Sequence, residues 1–446
     1  MKRHFEEFCL NTYAHGFKYL TLNNISLLER RTWSIIITLF LAVSFYCSFL
    51  TWFEAFEKQT VTVPDTPNYP ISNFFFPAVT ICNFNVISKS RALKTSKNLS
   101  KNKTQNFSPK EIETKLHLLK YLTDVHYSPL HQNDLNKLHV VLENNKIEAS
   151  SLLKYLSPTC TEMMQRCTWK GQHMDCGVLF KSIVTPYGVC CSFNYFGFKE
   201  NVKNFTKDIT AIETLKRVSA TGYLTSLETV VNTLSEDYFA TIVPSIGHKI
   251  IVHFPYDFPD RNSQMLLQYI QGLILVSVNP SLYRTDVNVN SLDINLRKCA
   301  FMGEKQLDYF AYTYHNCMSE CRAHLIKDFC GCVPFYYLQF YENLSKYTYV
   351  IYIIFRKFYC YSVGVKLNNQ SVVRVFFDDL VSTRYTTSLQ HYWHTILGRI
   401  GGVLGLLIGF STTSLIEILY FFVIRPIIDI LFQYRIIFLY VKGSYK

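Results

Sequence analysis

Two nearly uncharged stretches decide what this chain can fold into. Thr32 to Phe53 runs 22 residues without a charged side chain, and Ile400 to Ile424 runs 25 with Glu417 as the only charge. A bilayer's hydrocarbon core takes about 20 apolar residues as helix, so both are long enough to cross it. Trp33, Trp52 and Phe53 stand at the ends of the first stretch as interfacial anchors do. A cleaved signal peptide has a shorter apolar core and a small-residue cleavage site. With 49% hydrophobic and 16% aromatic residues, the chain suits a protein with a few membrane spans.

Flanking charge orients these stretches. Arg30 and Arg31 precede the first, and Glu54 and Glu57 follow it; Arg425, Arg435, Lys442 and Lys446 follow the second against Asp429 alone. The positive-inside rule then sets both termini in the cytosol. The expected organisation is a cytosolic 1–31, a span at 32–53, an extracellular 54–398, a span at 399–424 and a cytosolic 425–446. The formal charge of +12 is spread along the chain and is no nucleic-acid footprint.

The middle segment reads as extracellular on separate grounds. It holds six Asn-X-Ser/Thr sequons, at Asn98, Asn102, Asn106, Asn204, Asn343 and Asn369, and twelve of the 14 cysteines. Dense cysteine with glycosylation acceptors points to an oxidising compartment and to disulfides. Residues 73–86 read as a strand. A helix should begin at Ser108 as N-cap, with Pro109 in its first turn and Glu111 closing a capping box, and carry Ile112, Leu116 and Leu119 on one face. A second helix is expected over Ile147–Leu156. Strands are expected over 248–254, 273–278, 286–296 and 371–377, in a sheet with one solvated face. The fold class is a two-span membrane protein with a disulfide-bearing α+β ectodomain.

Enzyme signatures are missing: there is no P-loop, no H-E-x-x-H, and Gly409-Phe410-Ser411-Thr412-Thr413 fails the G-x-S-x-G pattern at its last position. No catalytic residue and no cofactor are expected. Cys317, Cys321, Cys330 and Cys332 have a spacing that could hold zinc, but outside the cell such thiols pair as disulfides, so no metal is expected.

The second stretch is an unusual span. Gly401, Gly405 and Gly409 recur every fourth residue, the spacing that lets membrane helices pack closely. A packing helix explains those glycines. It does not explain Ser411, Thr412, Thr413 and Ser414, nor Glu417, because ionisable groups at that depth face a bundle interior or water. Glycines, hydroxyls and then a carboxylate describe a helix lining a wet constriction.

These residues also carry a resemblance. "FFPAVTICNFN" (75–85), "YGVCCSFN" (187–194), "CMSEC…FCGCVPFYY" (317–337) and "GGVLGLLIGFSTTSLIEILYFF" (401–422) occur in one order across most of the chain. Together they resemble the epithelial sodium channel/degenerin family of amiloride-sensitive sodium channels, in particular its insect pickpocket-like branch. The resemblance implies a trimeric, voltage-insensitive, amiloride-sensitive sodium channel of the plasma membrane, homomeric or mixed with related subunits and gated through an ectodomain with helical finger and thumb regions. It implies a selectivity filter at Gly409-Phe410-Ser411, a gating motif at His15-Gly16, a small residue at the outer pore mouth at Gly398, and a lower-pore acid at Glu417. Glycine at the filter permits an extended backbone there, and Ser411 adds an oxygen without a full charge. It also implies the disulfides Cys82–Cys190 and Cys167–Cys176; Cys160 and Cys191 are left over, their partners open, a bond to each other being one choice.

The chain departs from the family at two places. Arg399 stands at the expected outer mouth. Of the thumb cysteines, Cys299, Cys317, Cys321, Cys330 and Cys332 are present, but only Cys360 follows where several partners belong. The run 347–355 is apolar but too short to span, and reads as an edge strand or an insertion. An incomplete thumb favours a second function class, a non-conducting regulatory or adhesion-type subunit that keeps the fold.

Overall fold

The structure, a computed structural model, describes residues 2–432 except 58, 101–107, 124–131, 198–214, 262, 270–271, 298, 302–303, 306, 332 and 341–369. The chain divides into two compact units: Met1–Val63 with Tyr283–Cys299 and Tyr385–Lys446, and Pro64–Leu282 with Ala300–Arg384.

In the first unit, Leu27–Glu57 forms one helix of 31 residues, long and apolar enough to cross a membrane. Only Ile37, Ser44 and Ala55 along it are buried. Ile35, Leu39, Phe45, Tyr46 and Phe49 are exposed, an arrangement that suits lipid rather than water. The second apolar stretch differs from a simple span. It is a helix from Trp393 to Ile408, a break, a helix from Thr412 to Leu419, and one π-helical turn at Tyr420–Ile424. Within the chain, the upper helix packs against Leu27–Glu57. Its glycines are not what packs: a Cβ on Gly398, Gly401 or Gly402 would meet nothing within 4 Å. Beyond these helices, Gln390 N–H donates to the Gln59 carbonyl at 2.9 Å, and the hydroxyls of Thr62 and Thr387 meet at 2.7 Å.

The second unit is built on two five-stranded sheets. One runs Met265–Tyr269, Gly247–His253, Ala78–Asn83, Gly188–Phe193, Phe180–Thr185, antiparallel throughout. The other runs Leu273–Val278, Gln370–Phe377, Leu227–Asn232, Met164–Trp169, Gln172–Met174, with its first pair parallel. Their inner faces share a core of Phe76, Val79, Ile81, Phe193 and Ile250 from and beside the first with Trp169, Leu227, Val231, Val373, Val375 and Phe377 from the second. Along Gln370–Phe377, every second residue is buried, as a strand with one covered face requires.

Disulfides join Cys82 to Cys190, Cys160 to Cys191 and Cys167 to Cys176. Helices gather on a second core with Ile112, Leu116, Leu119, Leu152, Leu153 and Leu156 buried. The helix Pro109–Leu116 carries the full capping box of Ser108 and Glu111, and Ala149–Leu156 stops two residues before Pro158. The helix Tyr314–Cys330 is capped by the Thr313 hydroxyl, which accepts the Asn316 N–H, and ends on left-handed Gly331. Buried Asn316 pins it, accepting the Phe258 N–H and donating to the carbonyls of Tyr256 and Ala311.

Three strand expectations need correction. Residues 73–86 break in two: Pro77 offers no N–H, the strand starts at Ala78, and the Asn83 side chain turns the chain by accepting the Asn85 N–H at 2.9 Å. Residues 286–296 form a 3-10 turn at Val287–Ser291 and a short helix at Ile294–Arg297. Their Val/Asn alternation has no face to bury: Val289 is buried, but Val287 is 78% exposed. The solvated face holds for Gln370–Phe377 but not for Gly247–His253, a central strand buried at six of its seven residues.

Candidate functional site

The break in the second apolar stretch is the centre of the site. Gly409 has φ +69°, the left-handed region that favours glycine. That turn lets Gly409 N–H reach the Gly405 carbonyl at 3.0 Å and Phe410 N–H reach that of Leu404 at 3.2 Å. A helix end leaves its last four carbonyls, here 405–408, without partners, and the first of these bonds serves one of them. The backbone at Gly409 is thus left-handed; the extended residue is Ser411, at φ −124° and ψ 174°.

Ser411 begins the lower helix. Its hydroxyl accepts the Ser414 N–H at 3.4 Å and lies 2.6 Å from the Thr413 hydroxyl, while the Ser414 hydroxyl accepts the Ser411 N–H at 3.3 Å. Serine here therefore has a capping role, whatever else its exposed side chain meets. The upper helix meanwhile directs the negative end of its dipole at the break.

The amino-terminal segment runs antiparallel along this stretch. The His15 N–H donates to the Ile408 carbonyl at 2.7 Å, serving a second of those four carbonyls. The His15 ring lies so close to Gly409 that a Cβ there would stand 2.8 Å from it. Gly16 turns the chain at φ +81°, and a Cβ on it would press on Ile37 at 3.2 Å. Further along, the Thr12 hydroxyl donates to Glu417 Oε2 at 2.8 Å. Phe8 is buried against Phe421 and Phe422, with ring centroids 6.0 and 5.3 Å apart. Glu7 pairs with Arg425 at 2.9 Å, and His4 Nε2 lies 3.6 Å from Asp429.

The structure thus gathers His15, Gly16, Gly409, Phe410, Ser411 and Glu417 in one region. It does not bring Gly398 there: Gly398 is exposed on the upper helix, about 16 Å along it from Gly409 at helical rise. Arg399 is exposed beside it. Sequence reasoning missed Thr12, Phe8, Glu7 and His4. Opposite charges at Glu7 and Arg425 were a faint signal, already absorbed by the topology argument.

Other expected residues scatter. Asn98 is exposed in the last turn of the helix Lys89–Leu99; Asn102, Asn106, Asn204, Asn343 and Asn369 lie outside the described residues. Cys299, Cys317 and Cys321 are thiols. Cys332, Cys360, the Cys330 side chain and the run 347–355 lie outside the described residues. Among the described residues, no cluster of metal-ligating side chains occurs.

The chain matches the family model of the amiloride-sensitive sodium channel over residues 8–361 and 354–421. It is 25% identical to "Sodium channel protein Nach" of Drosophila ananassae, covering 95% of this chain and 87% of that protein. It is 24% identical to "Pickpocket protein 28" of Drosophila melanogaster, covering 75% and 56%. Over a shorter stretch, 35% of this chain and 28% of the relative, it is 27% identical to the "Bile acid-sensitive ion channel" of Mus musculus.

Proposed function

The chain belongs to the epithelial sodium channel/degenerin family of amiloride-sensitive sodium channels, in its insect pickpocket-like branch, and from that premise we propose that it is a sodium-selective, voltage-insensitive channel subunit of the plasma membrane. The family is one of ion channels, membrane proteins rather than enzymes. The observation that carries the finer reading is the break at Gly409–Ser411 inside an apolar stretch rich in hydroxyls. Non-helical backbone at membrane depth is tolerated where it lines water or protein.

In this reading three copies surround a path, with Gly409–Ser411 from each forming a ring. Backbone carbonyls replace part of the hydration shell of a small cation, at the negative end of each upper helix. Glu417 supplies negative charge below the ring. Both termini are cytosolic, the second unit is extracellular, and its motion reaches the gate through 54–63 and 390–399. Amiloride block follows from the same family reading.

The test is an introduced thiol. With this subunit expressed alone or with a related one, Ser411→Cys should make the sodium current susceptible to block by a small cationic thiol reagent applied during opening. A thiol at 411 that never reacts in conducting channels would remove the filter assignment. A second reading, a non-conducting subunit, draws on the thiols at Cys299, Cys317 and Cys321 in the extracellular segment. Surface expression without current in any subunit combination would favour it.

A further inference from the structure

An acid within an apolar membrane segment needs a partner or water, and Glu417 has a specific one. Its Oε2 accepts from Thr12 Oγ1 at 2.8 Å, and the residue is half-buried. An ionised carboxylate can only accept, so the Thr12 hydroxyl is the donor of that bond. Thr12 Oγ1 in turn accepts the Ala14 N–H at 3.3 Å, which ties the hydroxyl oxygen to its own backbone.

Thr12 is also held from both sides. Its N–H donates to the Phe8 carbonyl at 2.8 Å, closing the last turn of the helix Lys2–Asn11. Phe8, one turn before Thr12, packs on Phe421, one turn beyond Glu417. Residues four apart on a helix share a face, so the two contacts form one antiparallel seam. On the other side, the bond from His15 N–H to the Ile408 carbonyl anchors the segment again. A hydroxyl fixed at both ends against a carboxylate restricts that carboxylate to one orientation.

We propose that Thr12 is a positioning residue for cation passage: it pins Oε2 of Glu417 and so presents the other carboxylate oxygen to monovalent cations in the lower pore. This rests on the pore reading above. The ligand chemistry is a hard, partly dehydrated cation meeting a charged oxygen held at one place, where a freely rotating carboxylate would bind it less selectively.

The test is a double-mutant cycle read in two ways. Thr12→Val keeps the side-chain shape and removes the donor; Thr12→Ser keeps the donor. In conducting channels, Thr12→Val should lower single-channel conductance roughly threefold to tenfold, the scale of one ordinary net hydrogen bond, and shift the sodium-to-potassium permeability ratio. Thr12→Ser should retain both, and Thr12→Val should change nothing further in a Glu417→Ala background. Thermal melting of the detergent-purified chain gives the second reading: Thr12→Val should lower the midpoint only when Glu417 is present. A conducting channel in which neither conductance nor selectivity shows this coupling overturns the role of Thr12 and leaves the pore standing. A chain that melts with the coupling but conducts in no subunit combination overturns the pore reading and the role with it.

Discussion

The ring of His15 occupies the space that a Cβ on Gly409 would need, at 2.8 Å, and its backbone N–H serves the carbonyl just before that glycine at 2.7 Å. The amino-terminal segment is therefore part of the break in the second apolar stretch and not a separate tail. Gly409 is required twice, by its left-handed φ and by the neighbouring ring. Gly409→Ala should abolish or strongly reduce current, with a left-handed strain of about 1–2 kcal/mol in addition to the clash. His15→Ala in the same chain removes the clash and leaves the strain, so the double variant should recover part of the current. Patch-clamp recording normalised to surface protein checks this; a double variant no better than Gly409→Ala would show that the ring does not matter.

Gly398 behaves oppositely. A Cβ there would meet nothing within 4 Å in this chain, so Gly398→Phe should fold and reach the surface normally. On the proposed trimeric reading, an effect comes from neighbouring copies at the outer mouth, and the expected one is a raised open fraction. Unchanged gating with normal surface expression would place Gly398 away from the gate.

The disulfides should differ in weight. Cys82–Cys190 closes a separation of 108 residues and Cys167–Cys176 one of 9. On the chain-entropy account, removing them as serine pairs should cost about 4.8 and about 2.6 kcal/mol respectively. Cysteine alkylation before reduction, followed by mass spectrometry, should label Cys299, Cys317 and Cys321, with exposed Cys321 reacting fastest. Finding all three bridged would instead give this region a staple that is absent among the described residues.

Acid should weaken the second unit. Burial pushes His248 and His253 down to about 4. His253 is satisfied as the neutral ring: Nδ1–H donates to the Phe254 carbonyl at 3.0 Å, leaving Nε2 to accept from the Thr80 hydroxyl at 2.8 Å. The unfolded chain takes up these protons from about pH 6.5 downward and the folded chain only near pH 4. Stability is therefore lost as pH falls through that window, by up to roughly 3 kcal/mol for each histidine, and levels off below it. Asp257, whose carboxyl burial raises, works in the other direction over part of the range. Melting midpoints between pH 7.5 and 4.5 should fall, and His253→Gln should flatten the curve. A midpoint independent of pH would mean that these rings are reached by water.

Local signals in the sequence were sufficient for local structure. The apolar run 32–53 dictated the long helix, Ser108 with Pro109 and Glu111 dictated a helix start, and the pattern of 273–278 produced a strand with those bounds. The glycine and hydroxyl pattern of 401–414 reads as one helix lining a constriction, and only the structure shows the break at Gly409–Ser411. Each of these depends on residues within a turn or two of one another. Tertiary structure decided the rest. The alternation of 286–296 became a 3-10 turn and a short helix because no strand lies there to pair with it among the described residues. The partner of Glu417 lies 405 residues away at Thr12, and nothing in either neighbourhood names the other. Such contacts are made when surfaces meet after long loops have closed, and the cost of closure depends so weakly on loop length that sequence distance holds no record of the choice.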